Sequence, residues 1–111
     1  MINIKVSPTG INGQWRVLED LEYRGVTVRA GQLTDGASIP WAFRWWLKVG
    51  GPLFAPSVIH DTGYRHGLKT KSKIDDIYKM AMQENRVPGW KISIIYRAVK
   101  MFGGSSYKEK V

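Results

Sequence analysis

The sequence predicts an α+β fold: a small N-terminal antiparallel sheet over residues 1–33, then a core of about four helices over residues 34–104. Three observations predict it. Apolar and polar residues alternate along the first 33 residues, between turn signals. Beyond Pro40, apolar residues recur at helical spacing between glycine and proline breaks. The length of 111 residues suits one domain with one modest core.

Ile2, Ile4 and Val6 alternate with Asn3 and Lys5, which is strand periodicity. Ser7-Pro8-Thr9-Gly10 and Asn12-Gly13 are turn signals. A second strand is expected over Gln14 to Leu18, with Trp15 and Val17 on one side. A third is expected from Tyr23 to Arg29, with Gly25 marking a bulge. The loop from Gly31 to Ile39 leads to Pro40, which suits the first position of a helix. That helix, Trp41 to Val49, is rich in aromatic side chains and ends at Gly50-Gly51-Pro52. The next opens at Pro56 or Ser57, runs to His66 and stops at Gly67, with Gly63 leaving room for a close neighbour.

Lys69 to Lys73 reads as a basic loop, and Ser72 with Asp75 fits a loose capping box. The helix it opens runs to Asn85, with Ile74, Ile77, Tyr78, Ala81 and Met82 on the apolar face. At about 100° per residue, Asp75 falls at the edge of that face and Asp76 points away. Val87-Pro88-Gly89 is a break. A last helix spans Trp90 to Phe102, with Trp90, Ile94, Ala98 and Met101 in register and Gly103-Gly104 as its cap. Residues 105–111 read as a flexible tail.

Hydrophobic residues make up 43% and charged residues 23%, which excludes a disordered chain. There is no cysteine, so disulfides and thiolate metal sites are excluded. The net charge of +8 favours anionic partners without choosing among nucleic acid, anionic lipid and acidic protein. No apolar run reaches the roughly 20 residues needed to span a bilayer, and the N-terminus lacks signal-peptide character. Export, if any, is expected to use another route, such as cell lysis or packaging in a particle.

Two stretches carry the candidate chemistry. Thr34 to Pro40 is a glycine-bearing loop whose Asp35 carboxylate and main-chain oxygens around Gly36 and Ser38 suit a hard cation. Pro56 to Arg65 places His60 and Tyr64 four apart on one helix face, with Asp61 beside them. A histidine beside an aspartate is as readily a satisfied core pair as a catalytic one. One scheme uses all these residues at an open pocket floored by main-chain oxygens. Asp61 and the loop oxygens hold calcium, which polarises an ester carbonyl. His60 takes a proton from the attacking water. Asp75 accepts the other imidazole proton, and Tyr64 holds Asp75 in place. Other assignments stay open. Ser38 could act as a nucleophile with His60 as base. Trp41, Trp45 and Trp46, with Arg44 and Lys48, could rest on a membrane, although a core lid is the simpler role. Lys69, Lys71 and Lys73 could meet phosphates, although a solvated loop is simpler. Arg97 and Lys100 read as a wet helix face.

The motifs Asp35-Gly36-x-Ser38, Pro56-x-x-x-His60-Asp61-x-Gly63-Tyr64-Arg65 and Asp75-x-x-Tyr78-x-x-x-Met82 resemble the bacterial and fungal branch of the secreted phospholipase A2 superfamily. That resemblance implies a phospholipase A2-like helical core, His60 as general base, Asp61 as calcium ligand and Asp75 orienting the histidine. The chain departs from it in having no disulfides and a glycine-poorer loop. Residues 33 to 107 also resemble a phage and bacterial family of unknown function (domain of unknown function 1353), through Asp35-Gly36-Ala37-Ser38-Ile39-Pro40, His60-Asp61-x-x-Tyr64 and Phe102-Gly103-Gly104. Together these imply a phage-encoded, calcium-assisted lipid ester hydrolase in the host cytoplasm or the virion. The alternative is an inactive phage accessory or virion protein whose basic surface binds a phage or host protein. Nucleic acid is the weaker partner, since no reader helix or aromatic platform is evident.

Overall fold

The computed structural model describes residues 1–11, 14–34, 51–67 and 69–102. Its elements are β1 (Val6–Pro8), β2 (Trp15–Val17), β3 (Leu21–Tyr23), β4 (Val26–Val28), β5 (Leu33–Thr34), α1 (Phe54–His66), α2 (Lys71–Glu84) and α3 (Gly89–Phe102). The α+β class is as expected, with three helices among the described residues. The expected aromatic helix over Trp41 to Val49, the Asn12-Gly13 turn, the Gly103-Gly104 cap and the tail lie outside them. No helix among the described residues is long and apolar enough to cross a membrane.

The β region forms two sheets instead of one. β1, β2 and β5 make an antiparallel three-stranded sheet in the order β1-β2-β5, and β3 pairs with β4. The expected long third strand is a hairpin. Arg24 and Gly25 both take positive φ, 49° and 87°, as a two-residue hairpin turn of the type I′ class requires. Gly25 is therefore a turn residue and not a bulge. Residues 2–5 keep the expected alternation of burial, Ile2 and Ile4 in and Asn3 and Lys5 out, although the ladder starts only at Val6.

α1 is the central element. Every residue from Phe54 to Tyr64 is buried. One side packs with Val17, Val26 and Val28 of the sheets, and the other faces α2. A helix enclosed on all sides must find protein partners for its polar side chains, and α1 carries Ser57, His60, Asp61 and Thr62. Partners pair in opposite order along the two helices, Ser57 with Tyr78 and His60 with Asp75, so α1 and α2 run antiparallel. Gly63 permits the close approach. A Cβ there would stand 3.0 Å from Cδ1 and Cγ2 of Ile74, the residue just before Asp75. Gly67 ends α1 at φ 55°, the left-handed conformation expected of a helix stop.

Two expectations about the later helices change. Thr70 caps α2, its side chain accepting from the Lys73 N–H, so the helix opens two residues before Ser72 would place it. On α3, Ile92, Ile95 and Val99 are buried among the described side chains, and Trp90, Ile94 and Met101 are exposed. Of the stripe picked out by register only Ala98 is half-buried and the rest points to solvent, because α3 has two apolar faces and α2 covers the other.

Candidate functional site

His60, Asp75 and Tyr64 meet between α1 and α2. His60 Nε2 lies 2.8 Å from Asp75 Oδ1, and Tyr64 Oη donates to the same oxygen at 2.5 Å. Lys71 Nζ donates to Asp75 Oδ2 at 2.9 Å. The carboxylate thus accepts from three side chains, two on one oxygen and one on the other. Asp75 has no exposed surface, as the inward position on α2 implied, and the Asp76 side chain is 54% exposed.

The imidazole is enclosed. His60 is fully buried, with the Tyr64 ring centroid at 4.0 Å and the Tyr78 ring stacked at 4.5 Å. Tyr78 is fixed in turn by Ser57, 2.8 Å away. The expected open pocket is therefore absent around His60 among the described residues, because phenol rings on both helices cover it. With Nε2–H donated to Asp75, Nδ1 carries the lone pair of a neutral ring. Nδ1 is buried and has no hydrogen-bond partner among the described residues.

Burial pushes His60 below its ordinary 6.5, outweighing the hydrogen bond and charge of Asp75 that pull it up. Burial pushes Asp75 up, but hydrogen bonds from His60, Tyr64 and Lys71 outweigh it and hold the carboxyl below 3.8. Both groups therefore bind protons more weakly folded than unfolded, and stability falls as protons are added. The protein should lose stability from pH 6.5 down to the folded His60 value, and again below pH 3.8 through the folded Asp75 value. Urea unfolding between pH 8 and 3 measures this, and His60→Gln should remove the upper part of the slope.

Asp61, the expected calcium ligand, is buried beside His60, and its Oδ2 lies 3.3 Å from Arg65 Nε. Arg65 Nη1 also donates to the Leu33 carbonyl at 2.9 Å. The guanidinium thus bridges a carboxylate on α1 and a main-chain oxygen at the end of β5. These are oxygens of the kind calcium takes, so their chemistry fits the ion, and a cation at Asp61 Oδ2 would compete with Arg65. Asp35, Gly36 and Ser38, the other expected ligands, lie outside the described residues, as does Ser38 in its role as nucleophile. Among the described residues no group of three or more acidic or histidine side chains forms a metal cluster.

Lys71 was not expected here. Read as part of a basic loop, it is the first residue of α2, and its ammonium also donates to the carbonyls of Val99 at 3.0 Å and Lys100 at 3.4 Å. Its spacing of four from Asp75 was the available signal. Ser57 was likewise missed. Nothing in its local sequence announces Tyr78, 21 residues away, as its partner.

A family described as "Protein of unknown function (DUF1353)" matches residues 15–99. An "Uncharacterized protein y4jT" of Sinorhizobium fredii (strain NBRC 101917 / NGR234) is 38% identical over 80 residues, covering 68% of this chain and 23% of that protein. The match thus spans about a quarter of the relative's length. No solved structure matches the chain. The comparisons give no support to the phospholipase A2 resemblance.

Proposed function

The chain belongs to the DUF1353 family of proteins of unknown function, and within it we propose a phospholipase A2-like hydrolase of lipid esters with His60 as general base. One observation carries this: Asp75 holds His60 Nε2, and Nδ1, the basic nitrogen, has no partner among the described residues. In this reaction Nδ1 takes a proton from water as the water oxygen adds to the ester carbonyl. The tetrahedral intermediate then expels the alcohol oxygen, which takes that proton back from the imidazolium. Asp75 stabilises the transient positive charge, and Tyr64 fixes the carboxylate. Calcium, where bound, would be held by Asp61 with oxygens of Asp35, Gly36 and Ser38, and would polarise the carbonyl. Turnover also requires the Tyr64 and Tyr78 rings over His60 to move enough to admit water.

The test is hydrolysis of mixed phospholipid vesicles, with and without calcium, by wild type and His60→Gln. Glutamine can still donate to Asp75, so the fold should survive, checked by circular dichroism. Wild-type turnover lost in the variant is the expected result. No turnover by wild type, or equal turnover by both, sinks the hydrolase. Calcium should also raise the melting temperature, and no rise would remove it from the scheme.

A second reading, an accessory or virion protein binding an anionic partner, is favoured by α3. That helix has no acidic residue, carries Lys91, Arg97 and Lys100, and exposes Trp90, Ile94 and Met101. Such a complex would ignore His60→Gln and weaken with salt. A steep loss of DNA affinity with salt would point to nucleic acid instead.

A further inference from the structure

We propose that Lys71 is a positioning residue for the base, a clamp that ties Asp75 to the last turn of α3 so that Oδ1 alone faces His60. Its catalytic meaning rests on the hydrolase reading above; its structural part does not. A buried carboxylate has two oxygens and can present either to a neighbour by rotating. Here the two oxygens are assigned by different donors. His60 and Tyr64 share Oδ1, and Lys71 takes Oδ2.

The ammonium is itself fixed. Its three N–H groups have three acceptor groups within reach: Asp75 Oδ2, Val99 O and Lys100 O. The last two lie in the final turn of α3, where unpaired carbonyls carry the negative end of the helix dipole and favour a cation. Nζ also stands 5.8 Å from the centroid of the Tyr64 ring. The lysine side chain is only 26% exposed, so little water competes for it. One residue therefore joins all three helices at the oxygen that the His60 and Tyr64 pair leaves unused. Without it, Oδ2 is a buried charge with no donor, the carboxylate is free to turn, and the His60 Nε2–H loses a fixed acceptor.

Two readouts test this. The first is the exchange of the His60 Nε2–H proton, followed by NMR in wild type, Lys71→Met and Lys71→Arg. Methionine fills the stem without the ammonium; arginine restores a charged donor. Protection should fall about tenfold or more in Lys71→Met and return in Lys71→Arg. The second is hydrolysis: kcat should fall about tenfold with KM within about twofold, because a positioning residue acts through Asp75 and not on bound lipid. Should Lys71→Met fail to fold, Lys71→Leu replaces it, an apolar stem with no donor. Unchanged protection in the Met or Leu variant, or no recovery with Arg, overturns the clamp. If wild type turns over no lipid, the hydrolase falls, and the proton signal alone still decides on Lys71.

Discussion

Asp75→Asn should destabilise the protein by about 3–5 kcal/mol, because it strips the charge from a buried, fully engaged carboxylate. The variant is close to isosteric, so the loss comes from hydrogen bonding and charge. Asparagine offers one oxygen and one NH2 group where the site needs two acceptors. If the oxygen faces His60 and Tyr64, the NH2 meets the Lys71 ammonium; if it faces Lys71, the NH2 meets two donors. Either way a buried donor is opposed by a donor. The neighbouring substitution supplies the control. Asp76 accepts from Tyr96 Oη at 2.6 Å and lies 3.7 Å from Lys100 Nζ, but it is more than half exposed. Asp76→Asn should therefore cost under about 1 kcal/mol. Urea unfolding of the two variants measures the contrast, and equal effects would mean that Asp75 is not the hub described above.

Asn85→Ala should cost about 2–4 kcal/mol, from buried backbone groups left without partners. Asn85 is 1% exposed and sits just past the end of α2. Its Oδ1 accepts from the Ile2 N–H at 2.6 Å, and its Nδ2 donates to the Ile2 carbonyl at 2.9 Å and the Pro52 carbonyl at 3.0 Å. One amide thus pairs with the N-terminal segment as a strand neighbour would, which is how Ile2 and Ile4 stay buried outside any ladder. Removing it frees both polar groups of Ile2 and loosens Ile2 and Ile4 from the core. Asn85→Asp discriminates further. It keeps an acceptor for Ile2 N–H but sets oxygen against two carbonyls, so it should destabilise as well. Hydrogen exchange at Ile2 should quicken in both variants. Full retention of stability in either would show that the N-terminal segment is held without the Asn85 amide.

The readable part of the site followed from helical spacing. His60 and Tyr64 at four residues apart, and Asp75 at the edge of an apolar face, needed only the 3.6-residue period to be placed inward. Local chemistry likewise marked Gly67 as a stop. The misreadings have equally local causes. The Tyr23-Arg24-Gly25-Val26 run looks like one strand because a two-residue turn barely interrupts the alternation. Ser72 and Thr70 are both plausible caps, and only the Lys73 N–H decides for Thr70. On α3, apolar residues lie on both sides, so periodicity could not say which side α2 would cover.

By itself, then, the order of residues determined the α+β class, the helical positions of His60, Tyr64 and Asp75, and the absence of any thiol chemistry, since these depend on period, turn formers and composition. Tertiary structure alone decided which side chains share an acceptor. Lys71 reaches Asp75 and α3 together, Asn85 holds Ile2, Arg65 bridges Leu33 and Asp61, and phenol rings close over the imidazole. Contacts between distant parts of the chain arise from how helices and sheets pack, and no local pattern in the chain encodes which of several polar side chains will meet a given partner.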